Sequence, residues 1–116
     1  MLPKQHRLKK KKDFEKVFKE GKGLKEDFLI LKFMKNNLKN SRFGIMVSQK
    51  ISKKAFIRNK IKRRIKALIH LKLPKIKESL DLVFIALSGL ENQDFWEIEA
   101  TIDKIFTRAK ILKHQK

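Results

Sequence analysis

The chain has 116 residues, no cysteine and three histidines, with 31 Lys and Arg against 12 Asp and Glu for a net charge of +19. That length holds one domain with one core, and the composition excludes disulfides, thiolate-bound zinc and thiol nucleophiles. A hydrophobic content of 41% is too high for a disordered chain, while the charge points to a polyanionic partner, nucleic acid first and an anionic membrane surface second.

In chain order, the basic segment 1–11 leads into no apolar stretch and reads as a flexible arm, not a signal peptide. Phe14, Val17 and Phe18 recur at helical spacing, so 12–20 is predicted as a helix stopped by Gly21. Residues 28–34 and 42–48 read as two strands, and the polar turn 36–41 between them suggests an antiparallel pair. A long helix follows at 55–71, with Ile57, Ile61, Ile65, Leu68 and Ile69 as its apolar stripe and Pro74 beyond its end. Residues 81–87 read as a buried strand. A last helix is predicted over 95–112, capped by Asp94 with Glu97 at the third position and lined by Ile98, Ile102, Ile105, Phe106, Ala109 and Leu112. The expected fold is a single-domain α+β two-layer sandwich, a small mainly antiparallel sheet with three helices in the order α-β-β-α-β-α. The longest apolar run, Leu82 to Leu87, is far too short to span a membrane. Together with the absence of cysteine, this fits a cytoplasmic protein.

The charge is segregated. Residues 28–77 contain sixteen Lys or Arg and no acid, and all twelve acids lie outside that block. A lysine-rich composition bias would add cations without removing acids, so the block reads as a binding surface. On the helix 55–71, Asn59, Lys60, Lys62, Arg63 and Lys66 fall mostly opposite the isoleucine stripe, with Arg58 and Arg64 at its edges. No acid is spaced to neutralise them. Planar guanidinium forks, an amide and point charges are the chemistry that grips phosphates and sugar edges.

The run Val47-Ser48-Gln49-Lys50, followed by Lys53-Lys54-Ala55-Phe56-Ile57-Arg58-Asn59-Lys60-Ile61-Lys62-Arg63-Arg64-Ile65, resembles the protein subunit of bacterial ribonuclease P. Upstream, Arg7-Leu8-Lys9 and Asp13-Phe14-Glu15-Lys16-Val17-Phe18 match that family's first helix. The resemblance implies a protein that helps a catalytic RNA remove the 5′ leader of precursor tRNA, as a monomer in a 1:1 ribonucleoprotein. It implies no catalytic residue and no bound cofactor in the protein, with Mg2+ required by the RNA. Ser48, Lys50, Lys53, Lys54, Arg58, Asn59, Lys60, Lys62, Arg63 and Lys66 would then meet the catalytic RNA. Phe14, Phe18, Leu31, Arg7 and Lys9 would hold the leader in a cleft between the first helix and the sheet. Aromatic rings suit that task because unpaired bases stack on them, although a Phe pair four residues apart is also ordinary core material. The family's rare left-handed β-α-β crossover is implied too.

This sequence departs from the family in three places. Lys60 stands where the motif has a third arginine, and no tyrosine is present. Leu31 and Leu112 are expected at the positions of the family's tyrosines, which shifts leader affinity towards lysine and arginine and steepens its salt dependence.

Nothing in the sequence suggests a protein nuclease. His6, His70 and His114 are dispersed, and the cationic block has no carboxylate to hold a metal. Asp13 and Glu15 could assist a hydrated metal, but two acids on a helix are more commonly surface charge. Three rival readings fit the same charge pattern. One is another structured-RNA binder such as a ribosomal protein. Another is a DNA-binding protein, which lacks a helix–turn–helix partner here. The third is a membrane-surface protein, for which a β-branched stripe is poorly suited.

Overall fold

The computed structural model describes residues 2–113. Helix α1 (Lys11–Glu20) is followed by strands β1 (Lys22–Glu26), β2 (Leu29–Lys35) and β3 (Arg42–Val47). Then come helix α2 (Ala55–Lys72), strand β4 (Leu80–Ala86) and helix α3 (Phe95–Ala109). The four strands form one mixed sheet in the order β1-β2-β4-β3. The predicted elements are all present, and the α+β class holds.

The pairing differs from the sequence expectation. β2 and β3 do not form a hairpin: both pair with β4, β2 antiparallel and β3 parallel. β4 belongs in the centre because it is apolar on both sides, with Leu80, Leu82, Phe84 and Ala86 in one core and Val83 in another. β1 is an unforeseen strand, joined to β2 by a two-residue turn in which Asp27 has a positive φ of 51°. Its sequence, Lys-Gly-Leu-Lys-Glu, has one apolar residue, so no alternation announces it. Pairing with β2 and an Arg108 bond to the Lys25 carbonyl hold it in place.

One face of the sheet is covered by α2 and α3. Ile61, Ile65, Leu68 and Ile69 of α2 and Ile98, Ile102, Ile105 and Phe106 of α3 pack there on Leu29, Leu31, Phe43, Leu82 and Phe84. α3 starts with the capping box read from Asp94 and Glu97, in which each side chain accepts the other's backbone N–H. It ends at Ala109, where Lys110 adopts the left-handed conformation, so Leu112 lies beyond it, packed against the core edge.

α1 crosses the opposite face, over a smaller cluster of Leu8, Val17 and Val83. Gly21 ends this helix as expected, but in an extended conformation. A side chain there would meet the Val17 carbonyl oxygen at 2.5 Å and that of Phe33 at 2.9 Å, so it is close approach that requires glycine.

The β3–α2–β4 connection is a crossover between adjacent parallel strands. Phe43 of β3 points its side chain to the helix side, while its carbonyl accepts Leu8 N–H at the outer edge. Viewed from the helices with β3 running upward, L-chirality sends that carbonyl to the right, so β4 lies to the left. The crossover is therefore left-handed, against the strong general preference.

The N-terminal segment, expected to be a flexible arm, carries its own anchors. Leu2 and Leu8 are buried, and Arg7 bridges to Phe43 while its Nε donates to the Leu2 carbonyl at 2.7 Å. Two leucines at the right places outweigh the charge around them, and the segment shields part of the β3 edge.

Candidate nucleic-acid interface

α2 builds the first surface. Its isoleucine stripe fixes its rotation, so Asn59, Lys60, Arg63 and Lys66 are exposed and Lys62 is half-buried. Among the described residues, no cation from Arg58 to Lys66 pairs with a carboxylate. Two arginines are anchored instead of loose. Arg58 Nη1 donates to the Ser52 carbonyl at 2.8 Å, and Arg64 Nη1 donates to that of Gln93 at 3.1 Å. The loop before α2 adds exposed Ser48, Lys50, Lys53 and Lys54. Two local turns shape it: Ser48 Oγ accepts from Lys50 N–H, and Ser52 Oγ accepts from Lys54 N–H.

The second surface is the half of the sheet that α1 leaves open. Phe14 and Phe18 are half-buried and pack on the cluster under α1. Phe14 packs against Gly44, where a Cβ would meet its ring atoms at 2.5 Å. Each phenylalanine therefore packs on one side and leaves part of its ring accessible, so the two readings of this pair are compatible. Beyond them the open face presents Ile30, Ile85 and Met46, of which Met46 is 42% exposed.

Leu31 is not part of this surface. It is completely buried among the residues facing α2 and α3. The residue on the open face is Lys32, whose Nζ donates to the Phe18 carbonyl at 3.3 Å, between α1 and the sheet. Placing Leu31 in the cleft was a one-residue register error, and in a strand one residue exchanges the faces. The alternation of Leu29, Leu31 and Phe33 with Ile30, Lys32 and Met34 was the signal available.

The two surfaces meet. Arg7, Lys9 and Phe14 line one groove with Lys62 and Lys66 of α2, across Gly44 and Ile45 of the β3 edge. The residues read from sequence as two separate sets thus share a continuous cationic border.

On the far flank of α1, Arg42 holds the helix to the sheet. It forks onto Asp81 at 2.9 and 2.7 Å and reaches Asp13 at 3.3 Å, and Asn36 Nδ2 donates to Asp81 at 2.8 Å. The Asp81 hydrogen bond is the main reason the Arg42 pKa is raised, against a burial penalty. Asp13 is thereby committed to an ion pair, and Glu15 faces Lys11 at 3.9 Å. Among the described residues no three His, Cys, Asp or Glu side chains group as metal ligands. His6 Nδ1 bonds the Ser41 carbonyl at 2.7 Å. His70 is exposed on α2, and His114 lies outside the described residues. No helix among the described residues is long and apolar enough to cross a membrane.

Known proteins place this geometry. Residues 2–110 match the family model described as Ribonuclease P. The chain is 38% identical over 114 residues to the ribonuclease P protein component of Synechocystis sp., covering 97% of this chain and 92% of that one. It is 36% identical over 116 residues to that of Dictyoglomus turgidum, covering 97% and 95%. Among solved structures, the Staphylococcus aureus RNase P protein superposes with a TM-score of 0.86 at 27% identity, over 93% of this chain and 98% of that one. The Thermotoga maritima RNase P protein gives 0.80 at 33% identity, over 88% and 96%.

Proposed function

This chain belongs to the ribonuclease P protein family, and from that premise we propose that it is the RNA-binding subunit of a ribonuclease P that removes the 5′ leader of precursor tRNA. The observation that carries the reading is the unneutralised cationic face of α2, continuous through Lys62 and Lys66 with Arg7, Lys9 and Phe14. α2 and the loop before it meet the catalytic RNA, through Ser48, Lys50, Lys53, Lys54, Arg58, Asn59, Lys60, Lys62, Arg63 and Lys66. The leader lies in the cleft of Phe14, Phe18, Lys32 and the open sheet face, with Arg7 and Lys9 at its border. Bases stack on the rings and phosphates meet the ammonium groups.

In this reading the protein supplies binding and orientation, and the RNA with its Mg2+ supplies the chemistry. The protein works in the cytoplasm as one copy per catalytic RNA. Leader-bearing precursor gains contacts that mature tRNA cannot make, which gives substrate discrimination.

The test is reconstitution. Purified protein is added to a bacterial ribonuclease P RNA and precursor tRNA at low magnesium. Faster cleavage, with preference for precursor over mature tRNA, is expected; cleavage unaffected by the protein refutes the assignment. A ribosomal protein of the same shape would instead bind ribosomal RNA and leave tRNA processing unchanged.

A further inference from the structure

The first turn of α2 carries a side chain that the fold does not use. Phe56 is 66% exposed, and it belongs to neither apolar cluster. Its neighbours on the helix surface, three, four and seven residues on, are Asn59, Lys60 and Arg63. Lys53 and Lys54 precede it, and Lys54 Nζ stands 5.9 Å from the ring centroid. An exposed apolar residue by itself is ordinary. Phe56 differs in its company, because every charged group close to it in sequence is a cation.

That company discriminates between partners. Trp96 is as exposed, at 69%, but it sits beside Asp94, Glu97 and Glu99, and Phe95 already meets its ring edge-on at 5.3 Å. A protein partner for Phe56 would need to bring a hydrophobic contact together with enough acids to neutralise four nearby cations. An unpaired nucleotide brings both requirements at once, a flat π-face and a phosphate. The ring and the ammonium groups are complementary to one nucleotide: the base stacks on Phe56 while Lys53, Lys54 or Lys60 meets its phosphates.

We propose that Phe56 is a stacking platform for an unpaired base of the structured RNA that binds α2. This rests on the function proposed above and adds to it a site outside the leader cleft, on the face directed at the catalytic RNA. The stacked base is extruded from a loop or bulge, since a paired base has no free face to offer. Phe56 gives that contact little sequence preference, because every base has such a face.

The experiment measures affinity of the full chain for purified ribonuclease P RNA, without substrate, at several salt concentrations. The variants are Phe56→Ala, Phe56→Leu, Phe56→Trp, Lys60→Ala and Arg63→Ala. Phe56→Ala and Phe56→Leu are expected to weaken binding roughly five- to hundredfold at an unchanged salt slope, and Phe56→Trp to retain it. Lys60→Ala should weaken binding with a shallower slope. Chemical probing of the RNA should show one nucleotide whose base becomes more reactive in the complex with Phe56→Ala than in the wild-type complex. Because Phe56 packs against neither core cluster, thermal melting should match the wild type. If the Phe56 variants bind like the wild type while the Lys60 and Arg63 variants are weakened, the stacking proposal fails and the functional reading stands. If Phe56→Leu alone retains wild-type affinity, the contact is apolar burial and not stacking, and the proposal fails. If none of the variants changes binding, both fail.

Discussion

Leu31 and Lys32 are adjacent in β2 and face opposite ways, so replacing each in turn separates fold from substrate binding. Leu31 is wholly buried against α2 and α3. Truncating such a leucine to alanine costs about 2–5 kcal/mol, a large part of the roughly 5–15 kcal/mol that holds a domain together. Leu31→Ala should therefore lower the melting temperature by roughly 10–20 °C. At a temperature where it stays folded, it should still distinguish precursor from mature tRNA. Lys32→Ala removes one hydrogen bond, from Nζ to the Phe18 carbonyl at 3.3 Å, and should cost about 1 kcal/mol or less in stability. It also removes one cation from the cleft proposed to hold the leader. One lost contact to single-stranded phosphate reduces the salt slope by about 0.7, so between about 50 and 200 mM salt the variant should lose about 2.6-fold less leader affinity than the wild type. The assay is titration of the reconstituted enzyme with leader-bearing and leader-free tRNA at both salts, beside thermal denaturation of each variant. The assignment of faces is wrong if Lys32→Ala keeps the wild-type slope and discrimination, or if Leu31→Ala melts normally and loses discrimination.

Three further outcomes are expected. Phe14→Ala, which removes a half-buried ring from Gly44, should cost about 1–3 kcal/mol and weaken leader-bearing substrate more than mature tRNA; equal weakening in a binding titration would return Phe14 to a purely structural role. Arg42→Met leaves Asp81, only 6% exposed, with the Asn36 amide as its remaining side-chain partner, and should cost about 3–5 kcal/mol in urea unfolding. Adding Asp81→Leu should restore most of that loss, and a single variant as stable as the wild type would show the pair to be dispensable. Lys72 is opposed by burial, but Asp103 at 2.7 Å and Glu99 at 3.4 Å more than offset this and raise its pKa. A raised lysine stabilises fully below its unfolded value of about 10.4, and the contribution is lost as pH rises through the higher folded value. The stability gap between wild type and Lys72→Met should thus be level from neutral pH up to about pH 10 and close above it; a gap that persists at the alkaline end contradicts the ion-pair account.

The basic helix and its outward residues were legible because helical periodicity is local. Ile61, Ile65, Leu68 and Ile69 fix the rotation of α2 from within a single segment, and Asn59, Lys60, Arg63 and Lys66 follow. The capping box at Asp94 and Glu97 was legible for the same reason. The open cleft between α1 and the sheet was legible only in its helical half. Phe14 and Phe18 follow from the helical spacing of α1, but Lys32, Ile30, Ile85 and Met46 belong to strands, whose faces depend on which other segments they meet.

The sequence by itself determined an α+β fold, an acid-free cationic block and a partner with many negative charges, since composition, spacing and charge are properties of the chain at short range. Only the tertiary structure decided that β4 lies between β2 and β3 and that the crossover is left-handed. It also brought Arg7, Lys9 and Phe14 into one groove with Lys62 and Lys66. Those features depend on burying both faces of β4 and on bringing together residues roughly fifty positions apart, and no local pattern encodes either.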